Sequence, residues 1–319
     1  MKYLLLAVLI FSVAAQADVT RKHSTTSKFM GTNTATTTDS YAGDRSASES
    51  STKWTKGLMK TMTRGKPVES TTIVRLDKEL VWSIDPKKET YREMTFAEFK
   101  AMLEQGLADL DQAAESDEEA EEAEEPGTED MYEWTTEDLS ASDPKPINGW
   151  TCRNAHIVTT GINKEDPKDK IVISFDTWNS EDVPGAAEIA DFQMRYMKAL
   201  GLDERVLTPG LLQVAELYQD KMATLIEAVK KAPGEPVQSL IDIQHNRRKG
   251  KSVGEAIGEG AANELTKKVP FGFGKKKDKE PVYEMKTVFS VENELNEASA
   301  SAIDGSVFEV PAGYKQIEK

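Results

Sequence analysis

The chain has 319 residues, of which 55 are acidic and 40 basic, so its net charge is −15. That balance excludes non-specific nucleic-acid binding, which works by neutralising phosphates with Lys and Arg, and no nucleic-acid partner is expected. Its only cysteine is Cys152, which excludes an internal disulfide; stability has to come from burial, and a chain of this length can bury a core.

Lys2 is followed by an apolar run from Leu4 to Val13 and by Ala15-Gln16-Ala17, a small-x-small cleavage pattern. The run is about ten residues, too short for a bilayer core of roughly 30 Å, so residues 1–17 read as a signal peptide and not as an anchor. Cleavage after Ala17 leaves Asp18 first, with no Cys to carry a lipid. The expected product is soluble and exported.

From Asp18 to Lys53 the chain is dominated by Thr and Ser. Thr favours extended backbone, and Gly31-Thr32-Asn33 and Ala42-Gly43-Asp44 look like turns, which predicts strands at Val19 to Lys28, Thr34 to Tyr41 and Arg45 to Thr52. A disordered Ser/Thr-rich leader is the competing reading. Lys53 to Met62 fits strand or helix.

The clearest pattern lies from Glu69 to Leu103. Leu80, Trp82 and Ile84 alternate with Val81 and Ser83, the period of a strand with one face in a core. Short polar pieces such as Asp85-Pro86-Lys87-Lys88 separate three such runs, predicting an antiparallel meander. Thr95 and Glu98 form a capping box ahead of a helix whose stripe is Phe96, Phe99, Leu103, Leu107 and Leu110. Glu115 to Asp130 then carries about ten carboxylates and no basic residue, a block expected to stay disordered through self-repulsion. Met131 to Asn148, punctuated by Pro144 and Pro146, reads as its linker-like continuation.

Gly149 to Val158 and Lys170 to Trp178 predict a hairpin. Pro184 to Leu200 predicts a helix burying Ile189, Phe192, Tyr196 and Leu200, ended by Gly201. Thr208 and Pro209 start a longer helix reaching Lys231. Val237, Ser239, Ile241 and Ile243 alternate in a strand, Arg247 to Glu280 is Gly- and Lys-rich, and Val282 to Val291 and Ser306 to Val310 complete the strands. The expected organisation is residues 18–112 as one half of a sheet plus a helix, residues 113–148 as an acidic insertion, and residues 149–319 as the other half with helices and a flexible segment near residues 247–280.

This order resembles uncharacterised bacterial periplasmic proteins related to the lipoprotein carriers LolA and LolB. The resemblance rests on Leu80 to Ile84, Asp85-Pro86 and Thr90-Tyr91, on Gly149-Trp150-Thr151-Cys152, and on Phe308-Glu309-Val310-Pro311-Ala312-Gly313-Tyr314. Tyr41-Ala42-Gly43-Asp44-Arg45 is also similar to the Gly-Asp-x-x-Arg turn of that group. It implies a periplasmic location and an α+β fold, a strongly curved antiparallel sheet forming an incomplete barrel covered by helices. In the characterised carriers the apolar concavity holds acyl chains. Trp82, Trp150, Phe175 and Trp178 either face such a concavity or pack against the helices.

Reactive chemistry is not evident. Cys152 and His156 share a face of one strand but are roughly 13 Å apart at about 3.3 Å per residue, too far to share a metal or a proton. His23 and His245 lie in unrelated segments, and the Glu118 to Glu125 run lacks the spacing of a shaped calcium loop. No nucleophile elbow, P-loop or dinucleotide fingerprint is present, so no catalytic residue, metal or cofactor is expected. Phe271 and Phe273 beside Lys275, Lys276 and Lys277 form either a shallow membrane contact or a solvated loop. The expected function is a non-enzymatic carrier for an apolar ligand, a lipid or an acylated partner such as a lipoprotein. The alternative is an envelope interaction protein with a side-chain-filled core.

Overall fold

The structure, a computed structural model, describes residues 18–28, 31–102, 104–105, 131–201, 233–248 and 282–317. Residues 1–17, the acidic run Glu115 to Asp130, the helix expected from Thr208 to Lys231, and Phe271, Phe273, Lys275, Lys276 and Lys277 lie outside the described residues.

The Ser/Thr-rich stretch is ordered as three strands, β1 (Val19–Lys28), β2 (Gly31–Ala42) and β3 (Arg45–Gly57). β-Branched threonine suits the pleat, and hydroxyls meet across it, as Thr37 Oγ1 does with Ser50 Oγ at 3.3 Å. The ambiguous Lys53 to Met62 stretch divides at Gly57, where β3 ends and the short helix α1 (Leu58–Thr63) begins. The meander follows as β4 (Val68–Arg75), β5 (Leu80–Asp85) and β6 (Thr90–Thr95). Thr95 then caps α2 (residues 96–102): its N–H donates to Glu98 Oε2 at 2.9 Å, and the Glu98 N–H donates to Thr95 Oγ1 at 3.3 Å.

Beyond the acidic run the structure departs from the linker reading. Met131 to Asn148 contains two strands, β7 (Tyr132–Asp138) and β8 (Lys145–Ile147), both paired with β9 (Trp150–Asn163). Pro144 and Pro146 do not prevent this, because β8 is a three-residue edge segment where a missing donor costs little. β9 and β10 (Lys170–Ser180) form the expected hairpin, and α3 (Ala186–Leu200) ends at Gly201 in the left-handed region. Two long strands, β11 (Glu235–Arg248) and β12 (Tyr283–Ala300), follow. Ser306 to Val310 is not the expected strand. The Asp304 side chain accepts from the Ser306 N–H at 2.8 Å and starts a 3-10 turn, Gly305–Phe308. The chain then reaches β13 (Lys315–Gln316).

The strands form one open, curved sheet in the order β13-β6-β5-β4-β3-β2-β1-β12-β11-β10-β9-β7. Among the described residues helices are few, and the α+β architecture is mostly sheet. β1 sits centrally, flanked by β2 and by β12, so the first and the last long strands pair in the middle of the sheet. Every pairing in that order is antiparallel except β13 on β6. Register shifts at Lys22/His23, Thr32/Asn33, Trp178/Asn179 and Ile243/Gln244 insert extra residues that bend the strands.

Apolar packing is concentrated at the flanks. On one face Ala47, Ile73, Trp82 and Ile84 bury Phe308 completely. On the other, α2 and α3 bring Phe96, Phe192 and Leu200 onto Val74 and Val81. β5 is therefore buried on both faces, not one, because the chain's end returns to cover the face that the helices leave open. At the opposite flank Ile157, Ile173, Ile243 and Phe289 form a third cluster, and Cys152, Val183, Val237 and Leu295 a fourth.

Candidate functional site

A cavity of about 520 Å³ lies between β2–β5 and the returning segment Ser306 to Tyr314. Its floor follows from strand register. Thr36 pairs with Ser51 and Ser51 with Glu69; one rung on, Thr38 pairs with Glu49, Glu49 with Thr71 and Thr71 with Ile84. Partners directly across a sheet share a face, and alternate residues along a strand do too, so both rungs present their side chains to the same side. The third rung, Ser40, Ala47, Ile73 and Trp82, is roofed by Phe308.

The roof is held by a buried cation. Arg75 is 6% exposed; its Nε and Nη2 donate to Asp77 at 2.8 and 2.7 Å, and its Nη1 pairs with Glu309. The hydrogen bonds to Asp77 and Glu309 raise the Arg75 pKa, and the same bond from Arg75 holds the Asp77 carboxyl below the usual carboxylate range. With Glu309 tied down and Phe308 inserted, Val307, Pro311 and Tyr314 form an apolar wall opposite the hydroxyls of Thr36, Thr38 and Ser51. Glu49, Glu69 and Glu309 add carboxylates, and among the described residues the lining contains no Lys, Arg, His or Cys. Such a lining accepts hydrogen bonds and attracts cations on one side while offering Ile73, Ile84 and Tyr314 to an apolar group on the other.

The four aromatic side chains singled out from the sequence do not converge. Trp82 packs beneath Phe308 and donates its indole N–H to Glu93 Oε2 at 2.7 Å. Phe175 packs against the β9–β12 cluster that contains Ile173 and Ile243. Trp150 and Trp178 lie together beside Cys152 and Val237, with Lys145 Nζ 3.7 Å from the centre of the Trp178 ring. They fill three cores because alternation sends Trp178 and Phe175, three residues apart on β10, to opposite faces. Cys152 is fully buried, and burial pushes its thiol pKa up, away from a reactive thiolate. His156 Nε2 lies 3.2 Å from Ser174 Oγ. Among the described residues no group of three His, Cys, Asp or Glu is arranged to hold a metal.

The lining residues Thr36, Thr38, Glu49 and Glu69 escaped sequence reading. Their alternation is visible, but a polar alternation does not say which face will be covered. A second buried cation was also not anticipated. Arg21 on β1 is 8% exposed and bonds Glu235 at 2.5 Å, while its Nε and Nη2 have no hydrogen-bond partner among the described residues. Tyr41, on the same face of the sheet, has its pKa pushed up to about 12 by burial and by the charge of Asp39.

No protein-family model, curated protein or solved structure matches the chain.

Proposed function

We propose that the chain is a non-enzymatic binding or carrier protein of the periplasm and that its ligand is amphipathic, a lipid or an acylated partner. The observation that carries this reading is the cavity beneath the C-terminal segment. Its volume of about 520 Å³ suits a small molecule or part of an acyl chain, with Ile73, Ile84 and Tyr314 for the apolar part. Thr36, Thr38 and the carboxylates of Glu49 and Glu69 then receive a donor-bearing head. The ligand's seat is under the chain's end rather than under the helices, whose aromatic side chains pack directly on the sheet: the Phe192 and Tyr41 rings are 5.4 Å apart in edge contact. The export pattern of residues 1–17 and the resemblance of Leu80 to Tyr91 to uncharacterised periplasmic proteins related to lipoprotein carriers are in keeping with the same reading.

A second reading, an envelope interaction protein without ligand, draws support from the separate packed clusters that absorb Trp82, Phe175, Trp150 and Trp178. Native mass spectrometry of the protein taken from its own envelope distinguishes the two. A carrier shows a non-covalent adduct that disappears in Thr36→Trp, where an exposed lining position fills the cavity while circular dichroism stays unchanged. The same bare mass for both proteins would sink the carrier and leave the second reading.

A further inference from the structure

The helix α1 is built inside out. It is six residues long and buries none of them. Leu58 is 73% exposed and Met62 67%, and Val68, where β4 begins, is 47% exposed. A single helical turn in water is not stable by propensity alone, and apolar side chains facing solvent add nothing to it. The turn is nevertheless locked. Thr63 Oγ1 donates to Met59 O at 2.8 Å, and Arg64 ends the helix in the left-handed conformation, its N–H bonded to Thr61 O at 3.2 Å. The sequence thus keeps the apolar side chains outward.

Charge surrounds them with one sign. Between Glu49 and Glu69 there is no acidic residue, while Lys53, Lys56, Lys60, Arg64 and Lys66 are all basic, in a chain whose net charge is −15. None of these five side chains forms an ion pair among the described residues. On the helix, Leu58 and Met62 lie one turn apart on one side and Lys60 projects on the other. β3 runs five residues past its last pairing with β4, from Lys53 to Gly57, so α1 sits at a projecting corner of the sheet. Glu69, next to Val68, is the one carboxylate adjoining the corner in sequence and is outnumbered by the five cations; carboxylates more than about 8 Å away are screened at physiological ionic strength.

We propose that this corner docks on an anionic lipid bilayer. Leu58, Met62 and Val68 enter the headgroup boundary, and the surrounding cations lay their alkyl stems along it with their charges on the phosphates. An acidic protein segment satisfies only half of the arrangement: it pairs with the cations and leaves the apolar side chains in water. A lipid surface takes up both. The inference does not depend on the cavity or on its ligand.

The test is co-sedimentation of the full chain, purified from its own host, with phosphatidylcholine vesicles and with vesicles that also contain phosphatidylglycerol. Binding is expected only to the anionic vesicles and is lost in high salt. Leu58→Ser/Met62→Ser and, separately, Lys60→Glu/Arg64→Glu each weaken it by about tenfold or more. Both variants keep the wild-type circular dichroism, since α1 buries no side chain. No binding by the wild-type chain, or equal binding by all three proteins, overturns the proposal. A loss confined to Phe271→Ser/Phe273→Ser overturns it too and moves the contact to that segment.

Discussion

Arg75 and Glu309, 234 positions apart in sequence, form an ion pair that fastens the end of the chain to the N-terminal meander. Arg75 is buried and keeps Asp77 as a second partner, whereas the Glu309 side chain is 47% exposed. The two ends of the bond should therefore respond differently. Arg75→Met is expected to cost about 1–3 kcal/mol, because it removes the shared cation and leaves two carboxylates beside each other. Glu309→Gln should cost less than about 1 kcal/mol, as solvent screens that partner. Urea unfolding of both variants checks the order, and equal losses would contradict it.

The same network sets an acid limit. The pKa of Asp77 is depressed in the folded state by its hydrogen bonds from Arg75. Its contribution is therefore complete above the ordinary carboxylate value, about 4, and fades as pH falls through the lowered folded value. Wild-type stability should drop across that acid window, with Arg75→Met showing a shallower decline. Parallel profiles would remove Asp77 from the account.

Phe308 has no exposed surface and plugs the cluster of Ile73, Trp82 and Ile84. Phe308→Ala is expected to cost about 3–5 kcal/mol, the range for deleting a buried aromatic ring. The C-terminal segment should then become the first site of limited proteolysis. Wild-type protease resistance in that variant would show that the segment is held by something other than the plug.

Two tyrosines predict an alkaline limit. Burial raises Tyr41 and Tyr196 each to about 12. A raised folded value means that their contribution is complete below the ordinary tyrosine value, about 10, and is lost as pH rises toward 12. The loss is on the order of 1–3 kcal/mol per group at full ionisation. Tyr196→Phe should flatten the upper end of the stability profile, measured by denaturant midpoints between those pH values. An unchanged slope would mean that the ring ionises without cost.

Gly185, the residue before α3, lies against Val19 of β1. Its φ is +75°, and a Cβ there would lie 2.2 Å from Val19 Cγ2, on a residue with no exposed surface. Gly43 is also left-handed, at φ +58°, but a Cβ there meets nothing within 4 Å. Gly43→Ala should cost about 1 kcal/mol for backbone strain alone. Gly185→Ala adds the clash and should cost about 2–4 kcal/mol. Thermal unfolding of the pair isolates the contact, and equal shifts would show that Val19 yields without cost.

Local patterns in the chain were enough for most of the strands, for the Thr95–Glu98 cap and for the stop at Gly201, because alternation, capping and glycine act over a few neighbours. The curvature came from the family resemblance and not from local pattern; the expectation that residues 18–112 and 149–319 share one sheet agrees with the pairing of Val19 with Ala300. Local pattern failed where the deciding partner was remote. Ser306 to Val310 has the composition of a strand, yet it turns because Asp304 caps it and Phe308 finds a hydrophobic pit made by residues more than two hundred positions earlier. β7 had only weak signals of its own and exists because β9 offers it an edge.

The site follows the same division. Thr36, Thr38, Glu49 and Glu69 alternate visibly in the chain, but polar alternation is equally compatible with an open surface. Only the return of the last residues over β2–β5 makes those side chains the lining of a cavity. That return depends on Arg75 and Glu309 meeting across the fold, and no neighbour in sequence specifies such a contact. Alternation along a strand sorts side chains between two faces; what covers each face is a property of how distant segments pack.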